Sequence, residues 1–160
     1  MSNIRIGLGE DIHLLVPGRE LILGGVHIPY ELGLLGHSDA DVVYHAVSDS
    51  LLGALALGDI GHFFPTDDPR YDGADSSLIL SEVYAKIKEK GYRVGNIDIT
   101  ISCEKPHLAK HLPQMKQNLA KLLEITPDDV GIQAMTNEGC DAVGQGKAIR
   151  ANAVCLLERN

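Results

Sequence analysis

Ala148-Ile149-Arg150-Ala151-Asn152-Ala153-Val154-Cys155-Leu156-Leu157, near the C-terminus, places Ile149, Ala151, Ala153, Cys155 and Leu157 at every second position. Side chains along a strand point alternately to opposite faces of a sheet, so this spacing describes a strand with one buried face. Ile97, Ile99 and Ile101 repeat the pattern against Asp98, Thr100 and Ser102. Val130 to Met135 and Ile4 to Leu8 read as two more strands. Leu21 to Leu23, then Gly24-Gly25, then Val26 to Ile28 reads as a short strand, a turn and a second strand, closed by Pro29.

Three helices lie between these strands. Ser38 is the expected N-cap of the first, with Asp39 and Asp41 in its first turn, where negative charge suits the helix dipole. Its apolar positions run from Val42 to Leu55, and Gly58 is the expected terminator. The second runs from about Ser76 to Lys90, with Ile79, Val83 and Ile87 four apart and Gly91 after it. The third carries Leu112, Met115, Leu119, Leu122 and Leu123, with Pro113 in its first turn. Residues 59–73, dense in Gly, Pro and Asp, read as an ordered loop. The expected fold is α+β: a two-layer sandwich with one mixed or antiparallel sheet and helices on one face, forming a single domain over residues 1–160.

Composition narrows the function. A hydrophobic content of 44% and a mean hydropathy near zero describe an ordinary globular chain. No apolar run approaches 18 residues and no signal-like N-terminus is present, which argues against membrane spanning and secretion. Cys103, Cys140 and Cys155 are odd in number and lack CxxC spacing, as expected of reduced thiols in the cytoplasm. A net charge of −8 argues against nucleic acid as a partner. An anionic ligand would need metals, helix N-termini or backbone N–H groups to overcome the repulsion.

Asp11 and His13 stand one residue apart, so in an extended segment they point to one side. With His45 from the first helix they make one carboxylate and two imidazoles, a catalytic zinc set with the fourth position open. Asp49, one helical turn after His45, is placed to orient that imidazole. The bland alternative makes Asp11 and His13 surface groups and His45 a satisfied core histidine. His27, His62 and His111 read as surface or core residues. There is no convincing Ser-His-Asp or Cys-His arrangement.

The segments GEDIHLLVPGRELILGGVHIPYELGLLGHSDADVVYHAVSDSLLGALALGDIGHFFPTDDP, ITISCEKPHLAKHLPQMKQNLAKLL, MTNEG and GQGKAI resemble, in order and spacing, the 2-C-methyl-D-erythritol 2,4-cyclodiphosphate synthase family of the non-mevalonate isoprenoid pathway. The resemblance covers essentially the whole chain. It implies a homotrimer with active sites at subunit boundaries, and a reaction in which the substrate's own 2-phosphate attacks the β-phosphorus of its cytidine diphosphate arm. CMP leaves and a cyclic diphosphate closes.

The same resemblance implies roles for residues. Asp11, His13 and His45 match the zinc ligands, and His37 and Ser38 match contacts to phosphate, His37 counting among the catalytic groups. Asp59, Ile60 and Gly61 match the loop that holds the methylerythritol hydroxyls, and Phe64, Pro65, Asp67 and Asp68 a further substrate-binding stretch. Cys103, Lys105, Pro106, His107, Leu108 and Ala109 match the cytidine pocket. Met135, Thr136, Asn137 and Glu138 match a diphosphate-binding segment, with Glu138 at the position of a second ion, magnesium or manganese. On residue chemistry alone Asp59 and Gly61 could form a helix-terminating turn, and Glu138 could be a solvated loop acid.

The chain departs from the family pattern at Glu10, Leu14, Ala142 and Gln145. In some relatives a cavity on the trimer axis holds isoprenoid diphosphates, and an arginine replaced by Gln145 with an acid at Glu10 speaks against that binding here. Two rival functions fit the residues less well: a zinc-dependent hydrolase of a nucleotide diphosphate, and a metal-stabilised trimer that only binds phosphates.

Overall fold

Strand β1 (Ile4–Val16) runs antiparallel to the C-terminal β7 (Ala148–Arg159), in register from Ile4↔Glu158 to Leu14↔Ala148. The structure, a computed structural model, describes residues 1–160. Beyond β7 lies β5 (Tyr92–Ser102), also antiparallel, and beyond it β6 (Val130–Met135), parallel to β5. Two-residue β4 (Gly33–Leu34) edges β1, giving the order β4-β1-β7-β5-β6. The expected hairpin forms a separate ribbon, β2 (Leu21–Leu23) on β3 (Val26–Ile28).

Helices α1 (Val42–Ala54), α3 (Ser76–Glu89) and α4 (Leu112–Leu122) cover one face of the large sheet. That face is built from the alternating residues read in the sequence: Ile97, Ile99 and Ile101 of β5, and Ile149 to Leu157 of β7, are buried against Val43, Val47, Leu51, Leu80, Val83 and Leu119. The mixed sheet with helices on one face is as expected. Two one-turn helices, α2 (Ile60–Phe63) and α5 (Asp141–Gly144), complete the fold. No helix is long and apolar enough to cross a membrane, and all three cysteines are free thiols.

Three local expectations are corrected. β1 continues past Leu8 to Val16, because β7 offers it a continuous ladder. Ser38 does not cap α1: Ala40 stands at φ +58°, outside helical space, and the Asp41 carboxylate accepts from the Val43 and Tyr44 N–H groups instead. Nor does Gly58 end α1. The helix closes at Ala54 in a Schellman arrangement, with Ala56 at φ +56°, Ala56 N–H donating to Gly53 and Leu57 N–H to Leu52. Part of the 59–73 loop is also helical, as α2 and a 3-10 turn at Pro69–Tyr71.

Candidate metal centre

The site begins with two glycines. Gly7 and Gly9 of β1 face α1 so closely that a Cβ would lie 1.8 Å from the Ser50 carbonyl oxygen at Gly7 and 2.1 Å from that of Ala46 at Gly9. Without side chains there, α1 settles directly on β1. His45 on the helix then meets Asp11 on the strand, and His13 follows two residues later on the same face. The Asp11 Oδ2 atom lies 2.9 Å from His13 Nε2 and 3.0 Å from His45 Nδ1. One ligand atom from each residue falls within 4.8 Å of the others.

The remaining nitrogens are committed. His13 Nδ1–H donates to the Leu35 carbonyl at 2.7 Å, and His45 Nε2 lies 2.8 Å from the Ser76 hydroxyl. Each imidazole therefore turns one nitrogen inward and anchors the other outward, the usual support of metal-ligating histidine. Burial alone would raise the Asp11 pKa, but hydrogen bonds and charge from His13 and His45 outweigh it and bring it down to about 2. Burial would lower the His13 pKa, and Asp11 reverses that, holding it above the ordinary value. The donor set fits a divalent ion of the zinc type, with a carboxylate ionised at neutral pH and two oriented imidazoles.

A cavity of about 190 Å³ opens on these ligands, lined also by His37, Ser38, Ile60, Gly61 and Phe64. Of the first half of the predicted site, the structure brings these eight residues to one cavity, while Asp59, Pro65, Asp67 and Asp68 do not line it. His37 Nε2 lies 3.2 Å from the Asp68 carbonyl. Ser38 is buried, its hydroxyl 3.3 Å from His45 Nε2. Asp59 starts α2 rather than ending a helix, accepting from His62 N–H. The Asp68 carboxylate caps the 3-10 turn and grips the Arg70 guanidinium, whose hydrogen bonds hold its pKa below the ordinary value. Pro65 and Asp67 stay exposed. Thr66, inside the stretch from Phe64 to Asp68, also lines the cavity; Tyr71 and Ile79 do so without having been read as site residues, since neither carries a signal beyond polarity or helical spacing.

Asp49 does not orient His45. Its Oδ1 accepts from the Ile60 N–H at 2.8 Å, and the partner of His45 is Ser76, at the start of α3.

The second half of the predicted site forms its own group beyond the ends of β5 and β6. Cys103 N–H donates to the Met135 carbonyl, and the Glu104 carboxylate accepts from the Asn137 N–H, tying the 103–109 and 135–138 segments together. Glu104 falls inside the 103–109 stretch that the resemblance implies, but an acid beside Lys105 carries no spacing signal of its own. Cys103 and Leu108 are buried, whereas Lys105, His107, Ala109, Met135, Thr136 and Glu138 are exposed and Pro106 is half-buried. Burial, then the charge of Glu104, pushes the Cys103 thiol up to about 11, so it is no ready nucleophile. Glu138, at φ +54°, stands outside the Asp-His-His cluster. Within one chain the cavity at the Asp-His-His cluster has no residue of this second group in its lining: β7 and β5 separate β1 from β6, about 14 Å at the usual strand spacing.

An open mixed sheet with an Asp-His-His cluster at one end defines an α+β protein able to hold a metal ion. The YgbB family profile matches residues 4–158, and the chain belongs to this family. A relative from Nostoc sp. (strain PCC 7120), named 2-C-methyl-D-erythritol 2,4-cyclodiphosphate synthase, is 55% identical over 155 residues, covering 97% of this chain and 94% of its own. A solved 2C-methyl-D-erythritol-2,4-cyclodiphosphate synthase in its CDP-bound form superposes with a TM-score of 0.89 at 38% identity, over 96% of this chain and all of that one. The bifunctional IspDF of Campylobacter jejuni superposes with a TM-score of 0.94 at 33% identity, over 98% of this chain but 42% of that longer one.

Proposed function

We propose that this chain is a cytoplasmic phosphorus–oxygen lyase that converts 4-diphosphocytidyl-2-C-methyl-D-erythritol 2-phosphate to 2-C-methyl-D-erythritol 2,4-cyclodiphosphate with release of CMP. All 160 residues serve as a single synthase domain. The observation that carries the reading is the convergence of Asp11 Oδ2, His13 Nε2 and His45 Nδ1 on one point in a chain that belongs to this family.

Zinc at Asp11, His13 and His45, and magnesium or manganese at Glu138, would supply Lewis-acid charge to the phosphate oxygens. The attacking group is already an anion, so no side chain needs to become a nucleophile. That agrees with a buried, protonated Cys103 thiol. The residues' task is positioning: His37 and Ser38 toward phosphate, Asp59, Ile60 and Gly61 toward the methylerythritol hydroxyls, Phe64 to Asp68 around them. The 103–109 segment takes cytidine, and Met135 to Glu138 the diphosphate. Holding both reacting phosphates in line can contribute roughly 7–11 kcal/mol.

A homotrimer would let one protomer's metal half face a neighbour's cytidine half. Support comes from the uncovered sheet face, where Ile4, Ile6, Leu8, Ile12 and Leu14 of β1 and Val154 of β7 are exposed, Ile6 at 70% and Leu8 at 69%. A row of exposed apolar side chains on an uncovered sheet face, interrupted here at Glu10, is the mark of an interaction surface.

Phosphorus NMR of the zinc-loaded protein with the cytidyl substrate and magnesium tests the reading. CMP with a cyclic diphosphate is expected. CMP with a linear product would mean hydrolysis instead, and no turnover by zinc-loaded trimer would mean a binding protein.

A further inference from the structure

Behind His45, on the side away from Asp11, runs a chain of three side chains from three different segments. His45 Nε2 lies 2.8 Å from Ser76 Oγ, and Ser76 Oγ in turn donates to Asp39 Oδ1. The direction of this chain is fixed by what Asp39 already receives. Its carboxylate accepts from the Ser76 N–H at 3.0 Å and from the Asp41 N–H at 3.1 Å, so the groups around it are donors. A carboxylate is acceptor-only, hence the Ser76 hydroxyl must give it its proton. The Ser76 oxygen then has only lone pairs left for His45, so Nε2 must carry a hydrogen, and in the neutral imidazole the nitrogen left free to ligate is Nδ1, on the side of Asp11. Ser38 Oγ, at 3.3 Å from Nε2 and 3.4 Å from Ser76 Oγ, is a longer and weaker alternative. Ser76 itself is fully buried and does not line the cavity at the Asp-His-His cluster.

We infer that Ser76 and Asp39 are positioning residues that set the His45 tautomer and ring orientation for metal binding. This rests on the reading of Asp11, His13 and His45 as the metal ligands. His13 has its outer nitrogen fixed by a backbone carbonyl, which no substitution removes; His45 depends on two side chains, and is the ligand whose basicity this chain can tune.

The test is cobalt affinity, by competition with a chelator, for Ser76→Ala, Ser76→Thr, Asp39→Asn and His45→Ala. It is paired with solvent exchange of the His45 Nε2 hydrogen in the zinc-loaded proteins. Ser76→Ala and Asp39→Asn should each weaken cobalt about tenfold or more and speed that exchange, while Ser76→Thr, which keeps the hydroxyl, binds nearer the wild type. Asp39→Asn is isosteric, so it keeps the test sound should a Ser76 variant misfold. Wild-type cobalt affinity and unchanged exchange in Ser76→Ala and Asp39→Asn would overturn the inference. Undiminished cobalt binding in His45→Ala would instead overturn the ligand assignment itself.

Discussion

Gly9 faces the Ala46 carbonyl across the contact between β1 and α1, leaving 2.1 Å between that oxygen and where a Cβ would stand. The same contact sets the Asp11–His45 distance, since His45 directly precedes Ala46 on α1 and Asp11 stands two residues after Gly9 on β1. Gly9→Ala must therefore push α1 off the strand. Overpacking of this kind costs about 1–3 kcal/mol, and here it also parts two metal ligands. Both the unfolding midpoint and zinc affinity are expected to fall. Gly53→Ala is the control: its Cβ would meet the Leu8 carbonyl at an ordinary 3.6 Å. It should be neutral or gain up to about 1 kcal/mol from helix propensity. A Gly9→Ala protein with unaltered zinc affinity would separate the helix contact from the site.

The metal-free protein should carry its own pH signature. Asp11 is held at about 2 against an ordinary 3.8, so its stabilisation is present above 3.8 and lost as pH falls through about 2. His13 is raised above 6.5, so its stabilisation is present below 6.5 and lost as pH rises through the higher folded value. Both act together between 3.8 and 6.5. Denaturant unfolding of metal-free protein should show Asp11→Asn costing most within that window and less near about pH 8. Metal must displace the proton that His13 Nε2 presents to Asp11, so affinity should rise with pH through the His13 titration. A pH-independent affinity would contradict this assignment of protons.

The parts of the fold that sequence revealed are those governed by local periodicity. Ile97, Ile99, Ile101 and the 149–157 alternation specified the buried sheet face, and Gly24-Gly25 the hairpin. Asp11 and His13 were legible as a pair because strand geometry alone puts them on one side. What escaped was set by distant contacts. Asp49 was expected beside His45 because both lie on one helix. But α2 brings its unpaired Ile60 N–H to that carboxylate, while Ser76 arrives from a helix 31 residues further along. Ser38 has every property of an N-cap, yet left-handed Ala40 moves the helix start to Asp41. The 103–109 and 135–138 segments have no chemical signal of their own, and only family resemblance suggests a ligand for either.

The uncovered face of β1 gives a prediction about assembly. Ile6 is 70% exposed, so Ile6→Glu should leave the fold of the chain intact while placing a charge in the interface of the proposed trimer. Sedimentation should show trimer giving way to monomer, with the circular dichroism spectrum kept. Zinc affinity should persist, because Asp11, His13 and His45 all come from one chain, whereas cyclisation should fail for want of the neighbour's cytidine segment. A trimer that survives the substitution would remove this face as the interface.

Asp49 distinguishes binding of metal from binding of substrate. Burial first raises its pKa, with the Ile60 N–H acting against that, and the hydrogen bond at 2.8 Å pins the first residue of α2. Ile60 and Gly61 line the cavity at the Asp-His-His cluster, so loosening α2 should blur the surface proposed to hold the substrate hydroxyls. Asp49→Ala removes one hydrogen bond, about 1 kcal/mol of stability. Cobalt affinity should be unchanged, because no ligand loses its anchor. Turnover should suffer through positioning, with KM rising as the loop loses its fixed conformation, and kcat falling to the extent that the hydroxyls help hold the 2-phosphate in line. Ser76→Ala should do the opposite, losing metal affinity first. If Asp49→Ala weakens cobalt as much as Ser76→Ala does, then Asp49 acts through His45 after all and the α2 contact is incidental.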